Sequence, residues 1–168
     1  MGERPMRVIM VCLGNICRSP MAEAVVRAKA AEAGVAVEVD SAGTGSWHVG
    51  DDADPRTLAV LAENDYPLHH RARTFDESWF GDRDLVLAMD HDNLAELRRL
   101  APTPEDRAKV RLLRSYDPAL AQLPEAMVDL AVPDPYYGDL DDFREVLTMV
   151  EAAADGLLAS LVAHLKAR

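Results

Sequence analysis

The chain has little of several things, and each shortage narrows what it can do. Two cysteines, Cys12 and Cys17, occur in 168 residues. That is too few for a disulfide-built fold or for a four-thiolate zinc site. A thiol that must stay free is expected in a reducing compartment, the cytoplasm. The five histidines show no H-E-x-x-H or comparable spacing, so no metal is expected. Basic residues are outnumbered, 18 Lys and Arg against 29 Asp and Glu, for a formal charge of −11. That balance argues against a nucleic-acid partner, because phosphate backbones are bound by surplus lysine and arginine. It also disfavours an anionic membrane surface and is sufficient for solubility. No uninterrupted apolar run approaches membrane-spanning length, so no membrane insertion is expected. The stretch after the polar Met1 to Pro5 is too short and wrongly flanked for a secretory signal. Neither a Walker loop ending in Gly-Lys-Ser/Thr nor a G-x-G-x-x-G fingerprint is present.

What the chain does have is concentrated near its start. Val8-Ile9-Met10-Val11 runs into Cys12, Arg18 follows a five-residue gap, and Ser19-Pro20 can open a helix. The intervening residues, Leu13, Gly14, Asn15, Ile16 and Cys17, can curl so that their N–H groups point inward as an anion nest. The following helix aims its N-terminal donors and positive dipole end at the same point. Such a field stabilises a thiolate as well as a phosphate. Arg18 supplies a planar fork able to hold two phosphate oxygens, which a lysine cannot do. A cysteine at a strand end is commonly just a small buried hydrophobe, and a loop between strand and helix is generic. Neither plain reading accounts for an arginine and a Ser-Pro pair at these offsets from the thiol. The pattern points to phosphate-ester hydrolysis, with Cys12 as nucleophile and Arg18 as clamp.

The rest of the chain alternates strands and helices, with no internal repeat and no low-complexity linker. A strand is expected over Arg7 to Cys12 and a helix from Ser19 to about Ala33, stopped by Gly34. Val35 to Val39 alternates like a second strand and leads into a loop from Ser41 to Trp47. Asp54-Pro55 caps a helix reaching about Asn64. Arg71 to Arg73 reads as extended, Leu85 to Met89 as a strand, and Asp90 to Leu100 as a helix. A Pro-rich link, Ala101 to Asp106, precedes a last strand near Val110 to Leu113. Ser115 to Gly138 reads mostly as loop, with Pro118, Pro124, Pro133 and Pro135, and a long amphipathic helix runs from about Asp141 to Lys166. The expected architecture is one α/β domain spanning residues 1–168, a three-layer αβα arrangement around a small parallel sheet of about four strands. Ligands bind beyond the carboxyl ends of such strands, where the Cys12 loop lies.

Cleaving a phosphate monoester also needs a proton donor. Asp134, in Val132-Pro133-Asp134-Pro135-Tyr136-Tyr137-Gly138, has flanking prolines that stiffen its backbone and tyrosines beside it. The same residues also suit an ordinary turn with tyrosines covering core. Together with Cys12 to Pro20, this segment resembles the low-molecular-weight protein tyrosine phosphatase family, and the similarity spans nearly the whole chain. Ser41-Ala42-Gly43-Thr44, His70-Arg71-Ala72-Arg73 and Met89-Asp90 fall where that family has similar segments. The resemblance implies Cys12 as nucleophile, Arg18 as clamp and Asp134 as general acid. It implies that Asn15 and Ser19 shape the loop and bond to the thiolate, and that His70 braces the loop. The other histidines read as surface residues.

The implied reaction has two steps: a phosphocysteine forms as Asp134 protonates the phenolate, and water then hydrolyses it with Asp134 as base. No cofactor is needed. An optimum on the acid side is expected, because Asp134 must start protonated while Cys12 is ionised. Trp47, Tyr136 and Tyr137 are candidate walls for a phenyl ring, although Trp47 also suits a partly buried loop position. Related phosphoarginine phosphatases tend to carry threonine where this chain has Ile16, so phosphotyrosine is the expected substrate and phosphoarginine the alternative. Arsenate reductases of this fold need further cysteines to relay a disulfide. Cys12 and Cys17 can still pair reversibly under peroxide. A non-catalytic phosphate-binding or redox module would keep Arg18 and the loop but have no use for a positioned Asp134. The partner is a phosphotyrosine-bearing protein, with a tyrosine kinase a candidate by analogy.

Overall fold

The computed structural model describes residues 4–123 and 129–167. Pro124 of the long loop and the first three residues of the amino-terminal segment lie outside them. Four parallel strands form one sheet in the order β2-β1-β3-β4. They are β1 (Met6–Cys12), β2 (Val37–Gly43), β3 (Leu85–Ala88) and β4 (Val110–Leu112). Alternation along β1 splits the interior into two cores. Val8, Met10 and Cys12 face one of them, with α1 (Arg18–Ala33), α2 (Pro55–Glu63) and α6 (Leu140–Ala167) packed over that face. Ile9 and Val11 face the other, under Phe75, Phe80 and Leu97 of α3 (His91–Leu100). The result is the three-layer αβα architecture with its helices on both sheet faces.

Helix α1 is buried almost all round over its first turns, from Arg18 to Val26. It ends where Gly34 adopts φ +70° and donates its N–H to Ala30 and Ala31, a left-handed stop that glycine makes at no steric cost. Helix α6 has 28 residues and is long and apolar enough to cross a membrane by those measures alone. Here its apolar stripe, including Phe143, Val146, Val150 and Leu157, packs into the core against α1 and α2. The acidic residues that break its apolar run are engaged: Glu151 accepts from the Tyr66 hydroxyl at 2.7 Å, and Asp155 pairs with Lys29 at 2.9 Å. It is a packed core helix.

Three local expectations need correcting. Strand β2 begins at Val37, two residues late, and continues through Ser41-Ala42-Gly43, which the sequence assigns to a loop. Those residues pair with Met10, Val11 and Cys12, and small side chains are required where β2 passes the Cys12 loop. Propensity alone does not signal a strand there. Within the Pro-rich link, Thr103 accepts the Asp106 N–H and caps a short helix, α4 (Pro104–Ala108). Inside the long loop, Asp117 likewise caps α5 (Pro118–Ala121). Arg71 to Arg73 is extended without forming a strand of its own; Ala72 exchanges backbone bonds with Gly50 and Asp51, and the Arg73 carbonyl accepts the Gly43 N–H at the end of β2.

Candidate active site

The site begins where β1 ends. Cys12 lies buried at the carboxyl edge of the sheet, at the base of a cleft of about 390 Å³. The chain then turns through Leu13 to Cys17 and enters α1 at Arg18. Asn15 makes the turn possible. Its φ of 59° is left-handed, a conformation that asparagine tolerates better than other residues with a side chain. Its N–H points at Cys12 Sγ from 3.3 Å.

The fully buried Asn15 side chain ties the loop to the sheet. Its Nδ2 donates to Ser19 Oγ at 2.8 Å and to Ser41 Oγ at 3.0 Å, while its Oδ1 accepts the Arg73 N–H at 3.0 Å. Ser41 in turn donates to Glu23 at 2.7 Å. His70 Nε2 sits 2.6 Å from the Asn15 carbonyl. A carbonyl can only accept, so that nitrogen carries the proton. Ser19 Oγ, already accepting from Asn15, stands 3.0 Å from Cys12 Sγ and 3.3 Å from the Ala42 carbonyl, so its one hydroxyl proton is shared between the sulfur and that carbonyl.

Arg18 is buried, and one end of its guanidinium is held in place. Its Nη1 donates to Asp90 at 2.6 Å and to the Val132 carbonyl at 3.0 Å, and its Nη2 is 3.6 Å from Asp134 Oδ2. Burial works against its charge, yet Cys12, Asp90 and Asp134 outweigh that and hold the guanidinium protonated more firmly than usual. Cys17 is the opposite case. Burial, with the nearby charges of Asp54, Cys12 and Asp134, pushes its thiol up to about 12. Cys17 is therefore a neutral thiol at physiological pH. Across the cleft, Asp134 Oδ1 accepts the Tyr136 N–H at 3.1 Å, which leaves Oδ2 turned toward Arg18.

The arrangement matches known proteins over its full extent. The family model described as low molecular weight phosphotyrosine protein phosphatase matches residues 7–167. A low molecular weight protein-tyrosine-phosphatase from Streptomyces coelicolor is 60% identical over 164 residues, 96% of this chain and 97% of that protein.

The chain belongs to the low molecular weight phosphotyrosine protein phosphatase family.

It is a cysteine-dependent protein tyrosine phosphatase by that membership, and Cys12 is the last residue of β1, where the loop begins. The phosphatase superposes on the crystal structure of a protein tyrosine phosphatase from Entamoeba histolytica with a TM-score of 0.86 and 34% identity, covering 95% of this chain and 98% of that one. A drosophila arginine phosphatase superposes with a TM-score of 0.83 at 31% identity, covering 92% and 97%.

In the phosphatase, Cys12, Leu13, Gly14, Ile16, Cys17 and Arg18 form the floor of the cleft. Trp47, Tyr136, Tyr137 and Asp134 form its walls. Trp47 is 73% exposed and Tyr137 96%, so neither covers core. Their rings are free to meet a ligand, Tyr136 and Tyr137 standing edge to face at 5.0 Å. Asn15 and Ser19 do not line the cleft; they lie beneath the loop and act on Cys12 from below. Sequence reasoning treats His48 as a surface histidine, yet it lines the cleft 6.3 Å from the Tyr136 ring. It also assigns no site role to Asp90, Asp54 or Arg56. Asp90 carries a readable signal, an acid at the carboxyl end of a strand that also caps α3 through the Asn93 N–H. Nothing in the sequence links Arg56 to the site.

Proposed function

We propose that the chain, acting as one domain, hydrolyses phosphotyrosine and small aryl phosphates through a phosphocysteine intermediate. The observation that carries this reading is the placement of Cys12 and Arg18 at the base of one cleft with a carboxyl opposite, Asp134 Oδ2 3.6 Å from Arg18 Nη2. Cys12 attacks phosphorus as a thiolate, and an S–P bond forms while the bond to the aryl oxygen breaks. Asp134 gives its proton to the departing oxygen. As a carboxylate it then takes a proton from water, whose oxygen bonds to phosphorus as the S–P bond breaks, releasing phosphate and the thiolate. Arg18 and the loop N–H groups hold the equatorial oxygens, where transition-state charge is spread. Ile16, Trp47 and Tyr136 offer apolar surface to a flat phenol.

The substrate is a protein bearing phosphotyrosine, with a tyrosine kinase a candidate class. The reducing cytoplasm is the compartment that suits a working thiolate. Under peroxide, Cys12 and Cys17 would lose two electrons and form a disulfide, with peroxide reduced to water, protecting the nucleophile from irreversible oxidation. The likeness to an arginine phosphatase keeps phosphoarginine as a second reading. Aliphatic Ile16 in the cleft floor favours the phenol.

Turnover of p-nitrophenyl phosphate by the wild type and Cys12→Ser tests the chemistry, followed by phosphotyrosine against phosphoarginine. Activity that vanishes in Cys12→Ser, with phosphotyrosine preferred, is the expected result. Preference for phosphoarginine overturns the substrate assignment. Absence of wild-type turnover under reducing, mildly acidic conditions overturns the hydrolase reading in favour of a binding or redox module.

A further inference from the structure

One side chain joins both halves of the cleft without touching the reacting atoms. Arg56, in the first turn of α2, donates from Nη1 to the Gly138 carbonyl at 2.8 Å and from Nη2 to the Tyr136 carbonyl at 2.9 Å. The same guanidinium grips Asp54, with Nε 3.0 Å from Oδ1 and Nη2 2.9 Å from Oδ2. Asp54 is buried against the nucleophile loop, and its backbone N–H donates to the Ile16 carbonyl at 2.8 Å. Thr57, one residue beyond Arg56, adds a bond from Oγ1 to the Cys17 carbonyl at 3.4 Å. The first turn of α2 therefore holds the Cys12 loop on one side and the Asp134 loop on the other.

Asp134 stands midway between two fixed points. Two residues upstream, Val132 is held by its N–H to the Met89 carbonyl at 2.7 Å and by Arg18 on its own carbonyl. Two residues downstream, Tyr136 is held by Arg56. The upstream point is anchored to the sheet, whereas the side chain holding the downstream point comes from α2. The guanidinium also packs over the Phe143 ring at 4.4 Å, which limits its freedom to swing away. A rigid fork is needed to reach two carbonyls and a carboxylate at once, and a lysine ammonium has no such geometry.

We infer that Arg56 is a positioning residue that, with Asp54, clamps the Asp134 loop to the Cys12 loop and fixes where the acid stands relative to the leaving oxygen. The inference rests on Asp134 being the general acid. Its signature is dependence on the leaving group. A phenolate needs a proton as it departs, whereas a dinitrophenolate leaves without one, so misplacing the acid slows only the first.

The test compares kcat/KM for phenyl phosphate and 2,4-dinitrophenyl phosphate in Arg56→Met, Arg56→Lys and Asp134→Asn, and in Asp134→Asn combined with Arg56→Met. Arg56→Met keeps apolar contact with Phe143, and thermal melting establishes that each variant is folded. Displacement of a catalytic group by an ångström costs on the order of a hundredfold, so Arg56→Met is expected to lose about ten- to a hundredfold on phenyl phosphate and less than about threefold on the dinitrophenyl ester. Arg56→Lys, which keeps the charge but not the fork, should lose in the same selective way. In the Asp134→Asn background, Arg56→Met should add nothing. Equal losses on both substrates, full additivity with Asp134→Asn, or wild-type rates in Arg56→Met would each overturn the clamp alone. An unimpaired Asp134→Asn on phenyl phosphate would overturn the acid assignment and the clamp with it.

Discussion

Replacing Gly43 by alanine adds one methyl group, and the structure specifies what it strikes. A Cβ there would stand 2.6 Å from the Leu13 carbonyl oxygen and 3.1 Å from both the Asn15 nitrogen and the Gly14 carbonyl carbon. All three are backbone atoms of the Cys12 loop, so no side-chain rotation relieves the clash. Ordinary contact begins near 3.4 Å, so β2 and the loop must separate by about 0.8 Å, in a cradle where about 1 Å of misplacement costs on the order of a hundredfold in rate. Crowding of this kind destabilises a fold by about 1–3 kcal/mol. Gly43→Ala is therefore expected to remain folded, with a melting temperature several degrees lower, while kcat/KM for p-nitrophenyl phosphate falls about thirty- to a hundredfold. Steady-state kinetics beside thermal melting separates the two effects. A folded variant within threefold of wild-type kcat/KM would refute the reasoning, because it would mean the loop tolerates displacement from the strand that carries it.

Asn15→Ala should destabilise by about 2–5 kcal/mol in urea titrations, because it leaves the Arg73 N–H unpartnered and puts alanine at a left-handed φ. Asn15→Gly should recover only the backbone part of that loss. Asp90→Asn preserves a cap for α3 but removes the charge facing Arg18 at 2.6 Å, so kcat/KM should fall about tenfold or more with little change in melting temperature. For Cys17, whose thiol is pushed from 9.0 up to about 12 in the folded chain, the unfolded state releases its proton first. Its contribution to stability is intact below pH 9 and is lost as pH rises toward 12. Measured against Cys17→Ala by denaturant titration, wild-type stability should decline by about 1 kcal/mol per pH unit across that window. A constant difference would show that the thiol is not held neutral by the fold.

The Cys12 loop is legible in the sequence because everything it needs is local. Cys12 ends a β-branched run, Arg18 and Ser19-Pro20 follow at fixed offsets, and a loop of five residues can close in few ways. The Asp134 loop is legible for a related reason, since the prolines beside Asp134 constrain the backbone without help from elsewhere. The order of strands and main helices follows from alternation and capping, and Gly34 and Asp54 mark ends as their chemistry requires. Beyond those segments the record is different. Ser41-Ala42-Gly43 looks like a turn because small residues carry no strand propensity, yet it is the part of β2 that must pass close beneath the loop. Asp90 is 72 residues from the arginine it orients, and Arg56 is 80 from the carbonyl of Tyr136 that it holds. His48 reaches the cleft only because the chain after β2 folds back over it. By itself, the sequence determined the α/β frame and nominated the atoms proposed to do the chemistry, since short-range sterics and spacing govern both. Only the tertiary structure decided how the Cys12 sulfur, guanidinium and carboxyl are held at their distances, because those bonds join residues that become neighbours only when the sheet closes.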